Sequence, residues 1–306
     1  VLPDGSVVTL GGEWFEGDGY DLRGVFVGSE GMLGIATKVC VRLTQNPPDV
    51  RTLLMDFTSV RAGAETVSSI IAAGMVPAAL EMMDHLCLVA VEAYVHAGLP
   101  TDAAAVLLVE VTGLPAAVAA DADEVARIGR EHGARTVRVA VDDAERALLW
   151  KGRKSAFGAI ARIKPNYYLH DTVVPRRKLP EVLDQIYAIV DRHELLVLNV
   201  FHAGEGNLHP LLVFDKREPG VMERVHAAGE EIVRISVAAG GVLSGEHGIG
   251  LEKRDFMPLM FGPADLAAQA ELRRAFDPAE IANPRKVLPS PATCGDIHAA
   301  PEGAWI

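Results

Sequence analysis

Two stretches of this chain carry residue types that do chemistry: His202-Ala203-Gly204-Glu205-Gly206-Asn207-Leu208-His209 and, further on, Gly245-Glu246-His247-Gly248. Two imidazoles and a carboxylate set beside glycines form the ligand set of an open catalytic metal site, with positions left for water or substrate. His202, His209 and Glu246 are the candidate ligands, and zinc, manganese or iron all suit them. His247 is adjacent to Glu246, so its side chain must point a different way. If Glu246 faces the ion, a neutral His247 imidazole can take a hydroxyl proton from a ligand held there. The plainer reading is a glycine turn that happens to hold histidines, with His247 bonded to nearby backbone.

The elements must bring these groups together. His202 and His209 are seven residues apart, which would place them on opposite faces of one straight strand or two turns apart on one helix. Gly204, Gly206 and Asn207 permit a turn at positive φ that folds the chain back, so that two strand ends present both rings to one point. Around this turn the pattern predicts strands at 51–57, 104–111, 136–141, 167–173, 195–201 and 209–214. It predicts helices at 60–73, 79–97, 116–132, 144–163, 178–193, 221–239 and 263–276. The order βαβ and then βαββα suggests an α+β fold, an antiparallel sheet with helices on one face. Residues 7–43 read as short strands between glycine turns, among them Gly11-Gly12 and Gly17-Asp18-Gly19. Asn46-Pro47-Pro48 is the candidate boundary, since two prolines stop helix and central strand alike.

Two further groups are weaker signals. Gly28, Gly31 and Gly34 are spaced by three, which is neither a dinucleotide fingerprint nor a Walker loop. Glycines there still let backbone N–H groups approach a flat ring or a phosphate, and Ser29 adds a hydroxyl. Arg153, in Trp150-Lys151-Gly152-Arg153-Lys154, is suited to clamp a substrate carboxylate, although a solvated basic patch is the commoner outcome for such a run. Met82, Met83 and Leu86 read as core, and His85, His96, His132, His193 and His226 lack partner spacing.

Composition limits the function classes. The 306 residues allow two domains, and a formal charge of −12 argues against nucleic-acid binding. Three scattered cysteines, Cys40, Cys87 and Cys294, form no disulfide framework, which suggests a reducing, cytoplasmic setting. No secretory signal or membrane-spanning run is evident. The first residues, Val1-Leu2-Pro3-Asp4-Gly5, read as the middle of a hairpin, so preceding sequence is expected.

Four motifs in order resemble a known family. Val27-Gly28-Ser29-Glu30-Gly31-Met32-Leu33-Gly34-Ile35 is similar to the second half of the flavin-binding domain of FAD-linked oxidases. Phe201 to Pro210 is similar to their metal loop, Ser244 to Gly250 to their catalytic turn, and Asn283-Pro284-Arg285-Lys286-Val287-Leu288-Pro289 to their terminal segment. Relatives act on 2-hydroxy acids: the FAD subunit of glycolate oxidase, D-lactate dehydrogenase and D-2-hydroxyglutarate dehydrogenase. The resemblance implies an α+β chain in which the C-terminal part of a VAO/PCMH-type FAD-binding domain carries a ferredoxin-like α+β substrate cap with an antiparallel sheet. It divides the chain into residues 1–48 (flavin domain), 49–262 (cap), 263–289 (return to the flavin domain) and 290–306 (loose tail). By the same resemblance, Gly28, Ser29, Gly31, Gly34, Ile35 and Asn283 line FAD, Arg153 binds the substrate carboxylate, His202, His209 and Glu246 hold the metal, and His247 is the base. Glu205 stands where the family has aspartate, Arg285 where glycine is common, and Met32 where threonine is common. None of these removes a ligand.

The implied reaction is oxidation of a D-2-hydroxy acid to the 2-oxo acid, with hydride passing to flavin and electrons leaving to a separate acceptor such as an iron–sulfur subunit. A homodimer is compatible with the sequence. The alternative reading is a truncated, non-catalytic metal-binding fragment that cannot hold FAD. A third is a metallohydrolase using the same ligand set with water, against which the flavin-type glycine segment counts.

Overall fold

Residues 79–84 set the plan of the molecule, because they form the central strand of its main sheet. The structure, a computed structural model, describes residues 1–12 and 19–289. It divides into two units: Asn46–Gly245, and Val1–Gln45 with the chain from Glu246 onward. The tail expected at 290–306 and part of the turn at 17–19 lie outside the described residues. Among the described residues no helix is long and apolar enough to cross a membrane.

In the second of these units the helix α1 (Leu22–Phe26) is capped by Asp21. The strands expected between residues 7 and 43 are a correction: no described residue there pairs in a sheet. Alternation alone does not make a strand without a partner ladder.

The larger unit begins with β1 (Asp49–Phe57), α2 (Val60–Ala72), β2 (Ala79–Asp84), α3 (His85–Val95), β3 (Ala105–Gly113), α4 (Pro115–Glu131) and β4 (Thr136–Val139). It continues through α5 (Asp143–Lys154), α6 (Ala156–Ile160), β5 (Asn166–Leu169), β6 (Thr172–Val173), α7 (Leu179–Arg192), β7 (Leu196–Phe201), β8 (Asn207–Leu208), β9 (Pro210–Phe214) and α8 (Val221–Ala238). The strands form a seven-stranded sheet in the order β4-β1-β3-β2-β7-β9-β5, with β6 and β8 as a separate ribbon. Its pairings are antiparallel throughout.

Side chains of each strand alternate between two cores. Leu53, Met55 and Phe57 of β1 pack with Val67 of α2, Val125 of α4, Ile186 of α7 and Ile232 of α8. Leu54 of β1 and Leu108 of β3 pack instead with Leu88 of α3, Leu149 of α5 and Ile160 of α6. Helices therefore cover both faces, not one. Each fully buried side chain of this kind stabilises the fold by about 1.5–3 kcal/mol.

The long helix expected over 79–97 is likewise corrected. Its first six residues are β2, and Asp84 then caps α3 by accepting from Cys87 N at 3.1 Å. The helix expected over 144–163 is two helices broken at Ser155.

Asp84 is buried and also accepts from Tyr187 Oη at 3.0 Å and from Asn199 N at 2.8 Å. Burial pushes its pKa up to about 6 against the pull of these donors. A carboxyl whose pKa rises on folding favours the native state most below about pH 4, and that contribution is lost as pH climbs through about 6. Urea titrations of wild type and Asp84→Asn should therefore converge or cross as pH rises. The wild type should lose about 3 kcal/mol relative to the variant between pH 3.5 and 7. A constant difference would show that Asp84 titrates normally.

Candidate metal centre

His202 follows β7 and His209 precedes β9, joined by a tight hairpin. Asn207 N donates to His202 O at 3.2 Å, and Gly206 N to Ala203 O at 3.1 Å. Of the three residues expected to turn at positive φ, only Gly206 does so, at +74°. A Cβ there would lie 2.2 Å from Val174 O, so no larger residue fits. Gly204 instead serves close approach: its N–H donates to Leu80 O at 2.9 Å, tying the hairpin to β2.

The hairpin brings the two rings together. Their centroids are 5.4 Å apart at an interplanar angle of 81°, and a ring nitrogen of one lies within 4.8 Å of a ring nitrogen of the other. Both rings are anchored through Nδ1. His209 Nδ1 donates to His170 O at 3.2 Å, with an Asp171 carboxylate oxygen 3.9 Å away. His202 Nδ1 meets Glu81 Oε1 at 2.8 Å. A carbonyl or an ionised carboxylate only accepts, so each Nδ1 carries the proton and each Nε2 is the nitrogen suited to an ion. His209 is 2% exposed, whereas His202 is half-buried.

Glu81 was not legible in the sequence. It sits on β2, and its pKa is a balance: burial raises it, but the bond to His202 and the Arg153 charge together bring it below the usual range. Arg153 Nε and Nη2 each lie 2.9 Å from Glu81 Oε2. Arg153 is 7% exposed, so it is not part of a solvated basic patch. The structure places it behind His202, on the carboxylate that holds that ring.

The chain reaches Glu246 through a fixed arm. Val173 and Val242 exchange backbone hydrogen bonds of 3.2 and 2.9 Å. Asp171, fully buried, then accepts from Ser244 Oγ at 2.6 Å and from Gly245 N at 3.1 Å. Gly245 lies against the Asn207 carboxamide, where a Cβ would come within 2.5 Å of Nδ2. Asn207 is 3% exposed and its Oδ1 has no hydrogen-bond partner among the described residues. A buried acceptor left over in the hairpin that carries both imidazoles fits a cation-binding centre. Glu246 is the next residue after Gly245.

In the unit that contains them, Glu246 and His247 are exposed, with His247 Nε2 3.6 Å from Glu246 Oε1. The turn that follows is held by Glu30, which accepts from Ile249 N at 2.6 Å and Gly250 N at 2.8 Å. The same Glu30 offers its carbonyl oxygen to Asn283 Nδ2. The structure thus brings Asn283 onto the glycine segment, where Gly28, Gly31 and Gly34 all have positive φ. Arg273, on α9 (Pro263–Phe276), donates to Ala282 O at 2.9 Å and Asn283 O at 3.1 Å and so fixes this corner. Ile35 is exposed and pairs with Val1 through backbone bonds of 2.8 and 2.9 Å. Glu30 was read only as part of a motif, because nothing local marks a carboxylate whose partners lie more than 200 residues on.

A family described as FAD linked oxidases, C-terminal domain, matches residues 46–287. The chain belongs to that family. Among relatives, the glycolate oxidase subunit GlcD of Escherichia coli strain K12 is 45% identical over 97% of this chain and 59% of its own length. GlcD of Bacillus subtilis is 38% identical over 94% of the chain and 62% of its own length. The probable mitochondrial D-lactate dehydrogenase of Danio rerio is 31% identical over 94% and 59%. The chain thus spans about six-tenths of the length of these relatives.

Solved structures share the fold. p-Cresol methylhydroxylase with substrate bound aligns with a TM-score of 0.61 at 12% identity, over 79% of this chain and 53% of that one. Alkyldihydroxyacetonephosphate synthase aligns with a TM-score of 0.59 at 15% identity, over 88% and 50%. The architecture is that of a C-terminal domain of a VAO/PCMH-type FAD-linked oxidase, a mixed helix and antiparallel-sheet fold.

Proposed function

We propose that this chain carries the metal- and substrate-binding part of a flavin-dependent enzyme that oxidises a D-2-hydroxy acid, of glycolate or D-lactate type, to the 2-oxo acid. The observation that carries this reading is the pair His202 and His209, whose ring centroids are 5.4 Å apart and which are each anchored through Nδ1, so that Nε2 is the nitrogen suited to an ion. Glu246, next after the arm held by Asp171, completes the proposed ligand set. The naming of the relatives for glycolate oxidase and D-lactate dehydrogenase supports the substrate class.

His202, His209 and Glu246 would hold zinc, manganese or iron, which when bound would supply positive charge that lowers the pKa of a substrate hydroxyl. His247 takes the hydroxyl proton on a ring nitrogen, as an imidazole placed beside the substrate can. Arg153 is assigned to the substrate carboxylate through Nη1, since Nε and Nη2 are on Glu81. Gly28, Ser29, Gly31, Gly34, Ile35 and Asn283 are assigned to the flavin, whose ring, when bound, supplies the two-electron acceptor for the C2 hydride. An iron–sulfur subunit is the proposed partner that would accept the electrons.

The test is His247→Ala in the purified intact protein, assayed with glycolate and D-lactate and an artificial electron acceptor. Turnover is expected to fall by about 10²–10⁴-fold with metal content unchanged. Loss of metal in this variant would move His247 into the ligand sphere. A wild type that is colourless near ~450 nm, where bound flavin absorbs, and inert toward 2-hydroxy acids contradicts the reading.

A further inference from the structure

The carboxylate beside His202 decides how that ring can act. Glu81 lies on the central strand of the sheet and is 7% exposed. Its two oxygens do different work. Oε2 takes both Nε and Nη2 of Arg153, each at 2.9 Å, and Oε1 meets His202 Nδ1 at 2.8 Å. The sheet sets this geometry, because β2 pairs with β7 at Met82↔Phe201, the residues next to Glu81 and His202. Arg153 comes from α5, which packs with α3 on the face of the sheet opposite α2. Three segments distant in sequence thus converge on one imidazole.

The two rings are not anchored alike. His209 Nδ1 faces a neutral backbone carbonyl, whereas His202 Nδ1 faces a charged carboxylate. A charged acceptor makes the stronger bond and makes the ring a more basic ligand. It also locks a ring that is half-buried and so less confined by packing than His209.

We propose that Glu81 is the positioning residue of this metal centre, holding His202 as the Nδ1–H tautomer with Nε2 turned to the cation, and that Arg153 keeps Glu81 in that role. The inference rests on the reading of His202 as a ligand. A Glu81–Arg153 pair that served only as a buried ion pair would matter for stability. It would not control the tautomer of His202 or its affinity for metal.

The experiment titrates zinc into the metal-stripped intact protein in competition with a chromophoric chelator. Wild type, Glu81→Gln, Glu81→Asp and His202→Ala are compared, and ¹⁵N NMR of the histidine rings is recorded on metal-free wild type. Glu81→Gln is expected to bind zinc about 10–100-fold more weakly, Glu81→Asp to recover part of the loss, and His202→Ala to lose the site. The wild-type spectrum should show the His202 proton on Nδ1. Wild-type affinity in Glu81→Gln, alongside loss in His202→Ala, overturns the inference while leaving the ligand assignment intact. A wild type that takes no zinc, or His202→Ala that binds normally, overturns the ligand assignment and the inference with it. Should Glu81→Gln fail to fold, the spectrum alone decides: a proton on Nε2 of His202 overturns the proposal.

Discussion

His202→Ala is expected to lose the bound cation and to drop kcat/KM toward a 2-hydroxy acid by on the order of 10³ while leaving the fold in place. A cation that polarises a substrate oxygen contributes several kcal/mol. At about 1.36 kcal/mol per tenfold, that loss corresponds to about three decades. Stability should change far less, because the ring is half-buried and losing its hydrogen bond to Glu81 costs roughly 1–3 kcal/mol. The check is paired: metal content with steady-state kinetics, and a denaturation curve of the same sample. A variant that keeps its metal and its rate would show that His202 is only a turn residue.

Asp171→Ala carries the second large effect, on both stability and metal affinity. Asp171 is fully buried and tethers Ser244 Oγ and Gly245 N. Truncation takes this acceptor from the Ser244 hydroxyl, while Gly245 N keeps its bond of 3.1 Å to Asp171 O, at a cost of roughly 1–3 kcal/mol. It also loosens Ser244, two residues before Glu246, although the bridge between Val173 and Val242 and the backbone bond from Gly245 N to Asp171 O remain. Affinity for zinc should then fall about 10–100-fold, as for other groups that orient ligands. Asp171→Asn keeps one acceptor and should recover part of both losses. Unchanged melting and unchanged affinity in Asp171→Ala would remove the arm from the account.

What the sequence showed and what it concealed have physical causes. The histidine hairpin was legible because a turn at positive φ has a strong local signature, here Gly206. Its neighbours Gly204 and Asn207 looked equivalent but act through close packing and a buried carboxamide. The strand Ala79–Asp84 was read as helix because it is buried on both faces, so its apolar run lacks alternation. Asp84 was the available signal, a residue type that starts helices, placed where the strand ends. That one misreading also hid Glu81, since its role depends on a neighbouring strand 121 residues away. Arg153 was visible as a residue type, but its burial against Glu81 was not. Glu30 escaped for the same reason: its carboxylate meets a turn far along the chain.

X-ray absorption at the zinc edge of the intact protein, loaded with a single equivalent of zinc, reads the ligand atoms themselves. Two imidazole nitrogens at about 2.0–2.1 Å and carboxylate oxygen at about 2.0–2.2 Å are expected, without sulfur. Zinc that is not retained, or that is bound without imidazole scattering, would contradict the ligand assignment.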